Sequence, residues 1–576
     1  MKTIEELIAK LSKNQMDYNV FIKFNAKTPL EKTSLTNLIR KAISDGYIQK
    51  TDSNLLKVTK AGHLFINPNS ANKEAVKTPV HAKKININID NAKLDSEIIA
   101  DAYNIKLNFS DDLLKLAENI NNNANFNDTT DRVDLRSLKT VTIDSEHSKD
   151  LDDAFSIERV DDNYKVYVHI SDVSHFIEPN SPLDIEAKKR GNSTYLIDKV
   201  YNMFPEILSN EIISLNEKVD RFTLTLICVI DKDGNILQSD VVKSIINSDK
   251  KLSYNYAEDI INKKANDEDW LMELINNALE VKNILHKKRS KGVEFENDDI
   301  NIVLDDNGVP IEFYAEEKKE SMLIIESLML LANSEIAKKL KDYDGVIYRY
   351  HGAPDNYRFN NFKILAHNKG YELKKIDENN YDLIDFLEKI KGKSEEKLLT
   401  GVLMRSMTPS SYSVVNKSHF GLGFDYYTYF TSPIRRYVDL TIHRIVKDYI
   451  IDKKTYANDD NKYKTIADEC TLLDRTSKKA ERNLRQIKAA RYMKDRLGDE
   501  YYGFISLLSR NGITVEIEGL DIEGFIEATY VGANYRFYED MQSIYIDKVK
   551  MYELGDRVKV FVVKANIETG KIYFSL

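Results

Sequence analysis

At 576 residues, with 42% hydrophobic and 30% charged residues, the chain is too long for one compact core and has the composition of a soluble globular protein of roughly three or four domains. It has no run of about 18 uncharged apolar residues, its N-terminal MKTIEELIAKLSKNQ lacks the apolar core of a secretory signal, and Cys228 and Cys470 have no metal-ligand spacing; these features exclude a membrane span and a disulfide scaffold and point to the cytoplasm. The net charge of −9 argues against non-specific coating of duplex nucleic acid but leaves room for a basic channel under an acidic exterior.

Residues 1–66 read as a small helical module ending in a hairpin. Leu35, Leu38, Ile39, Ala42 and Ile43 share one helical face, Asp45-Gly46 supplies a helix stop, and short strands around Asp52-Ser53-Asn54 form a wing. The result is a winged-helix-like module, a unit used both for nucleic-acid contact and for protein packing. Residues 67–94 are polar and read as linker, and 95–132 hold a helix followed by the loop NNNANFNDTTD, so 67–132 form a linker and helical segment. Over 133–498, alternating strands such as Tyr164, Val166, Val168 and Ile170 mix with apolar helices such as SMLIIESLMLLANSEIAKKL. This predicts a large mixed α/β domain closed by a long charged helix at about 462–497. Over 499–576, short alternating segments between Gly, Asn and Asp predict a small closed β-barrel. The fold class is therefore α+β and multidomain, and no internal repeat is present.

The segment VTIDSEHSKDLDDAF places Asp144, Asp150, Asp152 and Asp153 within ten residues, after a short apolar strand. Crowded carboxylates repel one another in low dielectric and need cations or protons to persist. Oxygen-only ligands completed by water and phosphate suit magnesium, and phosphodiester hydrolysis can use a pair of such ions. A solvated acidic loop or a calcium site has the same composition, although the spacing lacks the glycine and terminal glutamate of an EF-hand. In YYTYFTSPIRRYVDLTIHRIV, Pro433 is expected to open a helix, and Arg435 and Arg436 follow it. Their planar forks suit either a phosphate or an internal salt bridge with Asp439.

Together with VHISDVSHFIEPNSPLDIEAKKRGNSTYL, YNMFPEILSNEIISLNEKVDR, GVEFENDDINIVLD, IIESLMLLAN and IYRYHGAP, these segments form an ordered series over about 95–576. The series closely resembles the RNB family of ribonuclease II and ribonuclease R exonucleases. The resemblance implies a central catalytic domain with a channel, in which Asp144, Asp150, Asp152 and Asp153 are the four catalytic aspartates. Asp144 and Asp153 would be direct metal ligands, and Asp152 the position most sensitive to substitution. Tyr195 in STYL would stack on the terminal nucleotide, with Phe295 as a second wall. Arg435 would steady the scissile phosphate, with Arg436 as a further RNA contact. Glu326 and Glu481 match acidic positions on helices lining the channel, where a structural role is equally open.

The C-terminal segment resembles an RNA-binding OB barrel of the ribosomal-S-one type. Asn511, Thr514 and Glu527 replace aromatics and a histidine common in such barrels, so stacking there would rely on Phe504, Phe525 and Tyr535. The interval before the catalytic match is too short for the tandem cold-shock domains usual in the family, and no lysine-rich tail follows the barrel. The winged-helix start leans towards ribonuclease R. The resemblance thus implies a monomeric, metal-dependent 3′-to-5′ exoribonuclease that uses Mg2+ (two ions, with Mn2+ able to substitute). It would act on single-stranded RNA without membrane or obligatory protein partner and release nucleoside 5′-monophosphates. A catalytically dead RNA-holding scaffold would be expected to have lost an aspartate or the arginine, and all are present.

Overall fold

A computed structural model describes residues 11, 16–26, 28–44, 48–50 and 55–58, then 83–289, 292, 299–374, 382–393, 395–454, 460–538 and 542–576. Phe295, the Asp45-Gly46 stop and the Asp52-Ser53-Asn54 turn lie outside these residues. The chain divides into two compact units, Met1–Pro79 and Val80–Leu576.

In the first unit, helices Tyr18–Asn25 and Pro29–Ser44 accompany a three-stranded antiparallel sheet. Strand Leu55–Val58 lies between Met16–Asp17 and Ile48–Lys50, which is the winged-helix arrangement. Leu35, Ile39 and Ala42 are buried against Phe21, Ile48 and Leu56, with Leu38 and Ile43 packed at the margin. The helical face read from the sequence is thus the face that forms the core.

The second unit is built on a seven-stranded sheet. Its order is Lys250–Ser253, Val141–Asp144, Asp153–Val160, Asn163–Ser171, Asp220–Ile230, Ile236–Asn247 and Val133–Asp134. The pairs at the two ends are parallel and the inner pairs antiparallel. One face carries Tyr164, Val166, Val168 and Ile170 into the main apolar core. On the central strands the other face is also buried, but polar. Thr140 Oγ1 meets Ser156 Oγ at 2.8 Å, Ser156 meets His169 Nε2 at 3.1 Å, and His169 Nδ1 meets Thr225 Oγ1 at 2.8 Å. Thr225 in turn meets Ser244 Oγ at 2.6 Å, so the chain of hydrogen bonds crosses the sheet and leaves these groups satisfied. Beyond it, burial works against the charge of Asp172, yet Lys447 at 2.6 Å and Arg132 at 2.9 Å hold its carboxyl well below the usual range. This contact ties the end of a central strand to the helical layer.

Two helices, Asp95–Ala102 and Asp111–Asn122, occupy the segment expected to hold one, and Asn104 at φ 55° lies just past the end of the first. The long helix spans Asp460–Lys494. Near its C-terminus, buried Lys488 and Arg491 meet the buried Asp95 carboxylate at 3.0 and 2.8 Å. Lys488 also donates to the carbonyls of Ala92 and Gly308, and Arg491 to those of Asn88 and Ile89. The segment that precedes the sheet is therefore pinned to the long helix.

Strands Glu500–Ser509, Gly512–Ile517, Glu523–Glu527, Lys571–Ser575 and Arg557–Asn566 close into the expected barrel. It carries an extra three-stranded sheet, Arg536–Tyr538, Ser543–Ile546 and Val549–Glu553, which periodicity did not indicate. Val549, Lys550 and Met551 are all exposed, so this strand has no buried face to impose alternation. Among the described residues no helix is long and apolar enough to cross a membrane.

Burial pulls the His169 pKa down to about 3, so the imidazole folds neutral. The unfolded chain takes up that proton near pH 6.5. Stability should therefore fall as pH drops from about 6.5 towards 3, by up to about 1.4 kcal/mol per pH unit for this one group. His169→Gln, which keeps hydrogen-bonding capacity without titrating, should flatten this part of the profile in urea unfolding midpoints. Parallel profiles for the two proteins would refute a neutral buried imidazole.

Candidate active site

Asp144 ends one sheet strand and Asp153 begins its antiparallel neighbour, so the intervening loop is anchored at both ends. Asp144 Oδ1 accepts from the Ser145 N–H at 2.7 Å and the Ser148 hydroxyl at 2.8 Å, which holds the start of the loop. Leu151 is buried, and its N–H donates to Ser214 Oγ, which itself donates to the Lys149 carbonyl at 2.6 Å. With Leu151 fixed inward, Asp150 and Asp152 are placed on a single cavity of about 420 Å³ with Asp144 and Asp153.

Asp152 is only 4% exposed. Its Oδ1 accepts from the Ile434 N–H at 2.8 Å, across 282 residues of chain. Its Oδ2 has no hydrogen-bond partner, and Arg435 Nε stands 3.4 Å away. Pro433 and Ile434 form a turn, and the helix begins only at Tyr437. The expectation that proline opens the helix is corrected here: Asp439 draws the preceding turn inward by accepting from the Ser432 N–H at 2.8 Å. Burial pushes the Asp152 carboxyl well above its ordinary range, opposed by Arg435 and the Ile434 N–H and reinforced by Asp153 and Asp150. Asp153 is pushed up to about 7 by burial and then by the charge of Asp144.

Raised carboxyls and an unpartnered carboxylate oxygen are what a cation would relieve, so the donor set fits one. Among the described residues no three His, Cys, Asp or Glu side chains are drawn together tightly enough to hold an ion unaided. Oxygen-only donors of this kind suit a hard divalent cation that keeps water among its ligands.

Tyr195 borders the same cavity, 42% exposed, and its hydroxyl donates to Asp150 Oδ2 at 3.1 Å. Arg435 is half exposed there. The fork of Arg436 behaves differently: Nε and Nη2 each meet Asp439 at 2.8 Å, and the guanidinium lies 3.9 Å from the centre of the Tyr429 ring. Arg436 thus forms the internal salt bridge with Asp439 that its sequence context allowed, while its side chain still lines the cavity. Glu326 lines the catalytic cavity, whereas Glu481 lines a neighbouring one. Phe504 and Phe525 sit half-buried on the barrel strands, away from this cavity, and Tyr535 donates its hydroxyl to the Ser509 carbonyl at 2.7 Å. Sequence reasoning missed Tyr254, Tyr427, Tyr429 and Asn333, which also line the cavity. Tyr254 follows the strand paired in parallel with Val141–Asp144, a register that no local pattern reveals. Tyr429 lay within an aromatic run directly before the arginines, and that run was a usable signal.

Residues 132–452 match the RNB domain. Ribonuclease R 1 of Lactococcus lactis is 35% identical over 497 residues, covering 83% of this chain and 60% of that protein. Ribonuclease R 2 of the same organism is 33% identical, covering 82% and 73%. The chain thus spans about three fifths of the first of these relatives and nearly three quarters of the second. Among solved structures, Mycoplasma genitalium RNase R in complex with ribose-methylated single-stranded RNA superposes with a TM-score of 0.80 at 25% identity, covering 85% of this chain and 78% of that one.

Replacing Asp439 by Ala should strand both the buried Arg436 guanidinium and the Ser432 N–H. We expect a loss of about 3–5 kcal/mol in unfolding free energy. Arg435→Ala, which leaves the buried Asp152 to the Ile434 N–H, should cost less, about 1–3 kcal/mol in the same denaturant titration, because the guanidinium is itself half exposed.

Proposed function

The chain belongs to the RNB family, and from that premise we propose that it is a 3′-to-5′ exoribonuclease that hydrolyses single-stranded RNA to nucleoside 5′-monophosphates. One observation carries the reading: the acidic loop and the Ser432–Arg436 turn, distant in sequence, meet through Asp152 at one cavity. The same reading places the protein in the cytoplasm as a monomer.

Asp144, Asp150, Asp152 and Asp153 would hold divalent cations, Mg2+ by the oxygen-only character of the donors and two in number by the charge to be balanced. Bound there, such ions supply an activated water and neutralise charge on the departing 3′ oxygen. The remaining work falls to side chains. Arg435 extends from Asp152 into the cavity, where its outer nitrogens can meet the equatorial oxygens of the scissile phosphate. Tyr195 offers a partly exposed ring for the terminal base, and its bond to Asp150 fixes the ring relative to the carboxylates. Stacking accepts any base, which suits a degrader without sequence preference. Discrimination against DNA would come from contacts to the ribose 2′-hydroxyl. Arg436, held on Asp439, braces the turn that carries Arg435 and stands on the same cavity as a further RNA contact.

Asp152→Asn keeps the shape and removes one charge. It should lower kcat by roughly a thousandfold, about 4 kcal/mol of transition-state stabilisation, with the circular dichroism spectrum unchanged. Mononucleotide release from labelled single-stranded RNA should stop on addition of EDTA and return with excess Mg2+. Near-normal turnover by the Asn variant, or RNA binding without mononucleotide release by the wild type, would refute the proposal.

A further inference from the structure

Arg349, in the IYRYHGAP segment, is 3% exposed on the short strand Tyr348–Tyr350. Its Nη2 donates to Asp474 at 3.3 Å, while Nε and Nη1 are buried and have no hydrogen-bond partner. The guanidinium lies between the rings of Tyr412 and Tyr429, at 4.6 and 5.1 Å, which fix its plane and accept no conventional hydrogen bond. Leaving two charged donors unsatisfied in a protein interior is costly unless something arrives to meet them.

Arg349 lines a second cavity of about 290 Å³ that shares Tyr195, Tyr429, Arg435 and Arg436 with the catalytic one. The two spaces therefore adjoin at the clamp and the arginine turn. Arg436 is committed to Asp439 and Arg435 faces Asp152. Asp474 and Glu481 are the acidic side chains lining the second cavity, and Asp474 is already engaged by Arg349 and by Lys478 at 3.3 Å. What remains are two unpartnered guanidinium N–H groups, Nε and Nη1, beside a lysine ammonium, a positive site able to receive an anionic phosphate oxygen.

We propose that Arg349 receives the RNA phosphate immediately upstream of the scissile one, so that this second cavity sets the register of the strand on the catalytic carboxylates. The inference rests on the exonuclease reading given above. A strand held at two successive phosphates cannot slide by a fraction of a nucleotide, and a dinucleotide, which lacks the second phosphate, cannot use the contact.

The test compares a dinucleotide with a trinucleotide, and a trinucleotide with one whose upstream linkage is a neutral methylphosphonate. In the wild type, the methylphosphonate should lower kcat/KM roughly tenfold to a hundredfold, mainly through KM, as for loss of a charge-assisted hydrogen bond. In R349Q the ratio of kcat/KM for trinucleotide over dinucleotide should fall by a similar factor, and the methylphosphonate should cost little more. A merely structural arginine would lower both substrates equally and leave that ratio in place. Wild-type indifference to the methylphosphonate, or an unchanged ratio in R349Q, would overturn the proposal. The wild-type arm decides the matter even if R349Q fails to fold. Absence of mononucleotide release from every substrate by the wild type would instead overturn the exonuclease reading, and this inference with it.

Discussion

Burial of the Asp152 carboxylate is the constraint on which the rest of the site depends. A charge removed from water is expensive, and here only two groups offset it directly: the Ile434 N–H and the Arg435 guanidinium, both on a turn far along the chain. The loop that carries the aspartates and the turn that carries the arginine are therefore fixed relative to one another by the same interaction. Neither is a functional element alone. The sheet supplies the rigid frame, because Asp144 and Asp153 sit at facing ends of paired strands and cannot move apart without breaking the ladder. Asp150 and Asp153 push the Asp152 carboxyl up and Asp144 does the same to Asp153, a repulsion that a bound cation would relieve.

The adjacent Arg435 and Arg436 divide two tasks that look interchangeable in the sequence. One is half exposed on the cavity, and the other has its fork engaged by Asp439 and its face on Tyr429. The braced residue makes the exposed one precise, since a side chain on an unsupported turn would sample many positions. Arg349 extends the same logic outward, being held flat by two tyrosines while keeping donors in reserve. Further off, the buried Asp95 cluster does comparable work for the fold: Lys488 and Arg491 of the long helix collect the carboxylate and four backbone carbonyls, so the segment preceding the sheet cannot drift from the helix that reaches the barrel.

Much of the architecture was legible because burial writes itself into local periodicity. The face of Leu35, Ile39 and Ala42, the alternation through Tyr164 to Ile170, and the barrel strands each repeat with the spacing of the element that buries them. Where burial is incomplete the pattern fades. The extra sheet has strands of three to five residues, one of which opens with three exposed residues in a row, and one expected helix is two, separated at a left-handed Asn104. Pro433 misled for another reason: proline marks a break in the backbone, but the pull of Asp439 on Ser432 decides that a turn precedes the helix.

The amino-acid sequence by itself determined the inventory: four aspartates in one loop, an arginine pair after Ser-Pro, a tyrosine in STYL, and the ordered family segments that connect them. These are facts of composition and spacing, and local chemistry can read them. Which carboxylate is buried, which arginine remains available, that Tyr254 and Tyr429 close the cavity, and that Arg349 stands beside it were decided only by tertiary structure. The reason is physical. Desolvation and Coulomb energies depend on distances in space, and the Ile434 N–H that meets Asp152 lies 282 residues away along the chain.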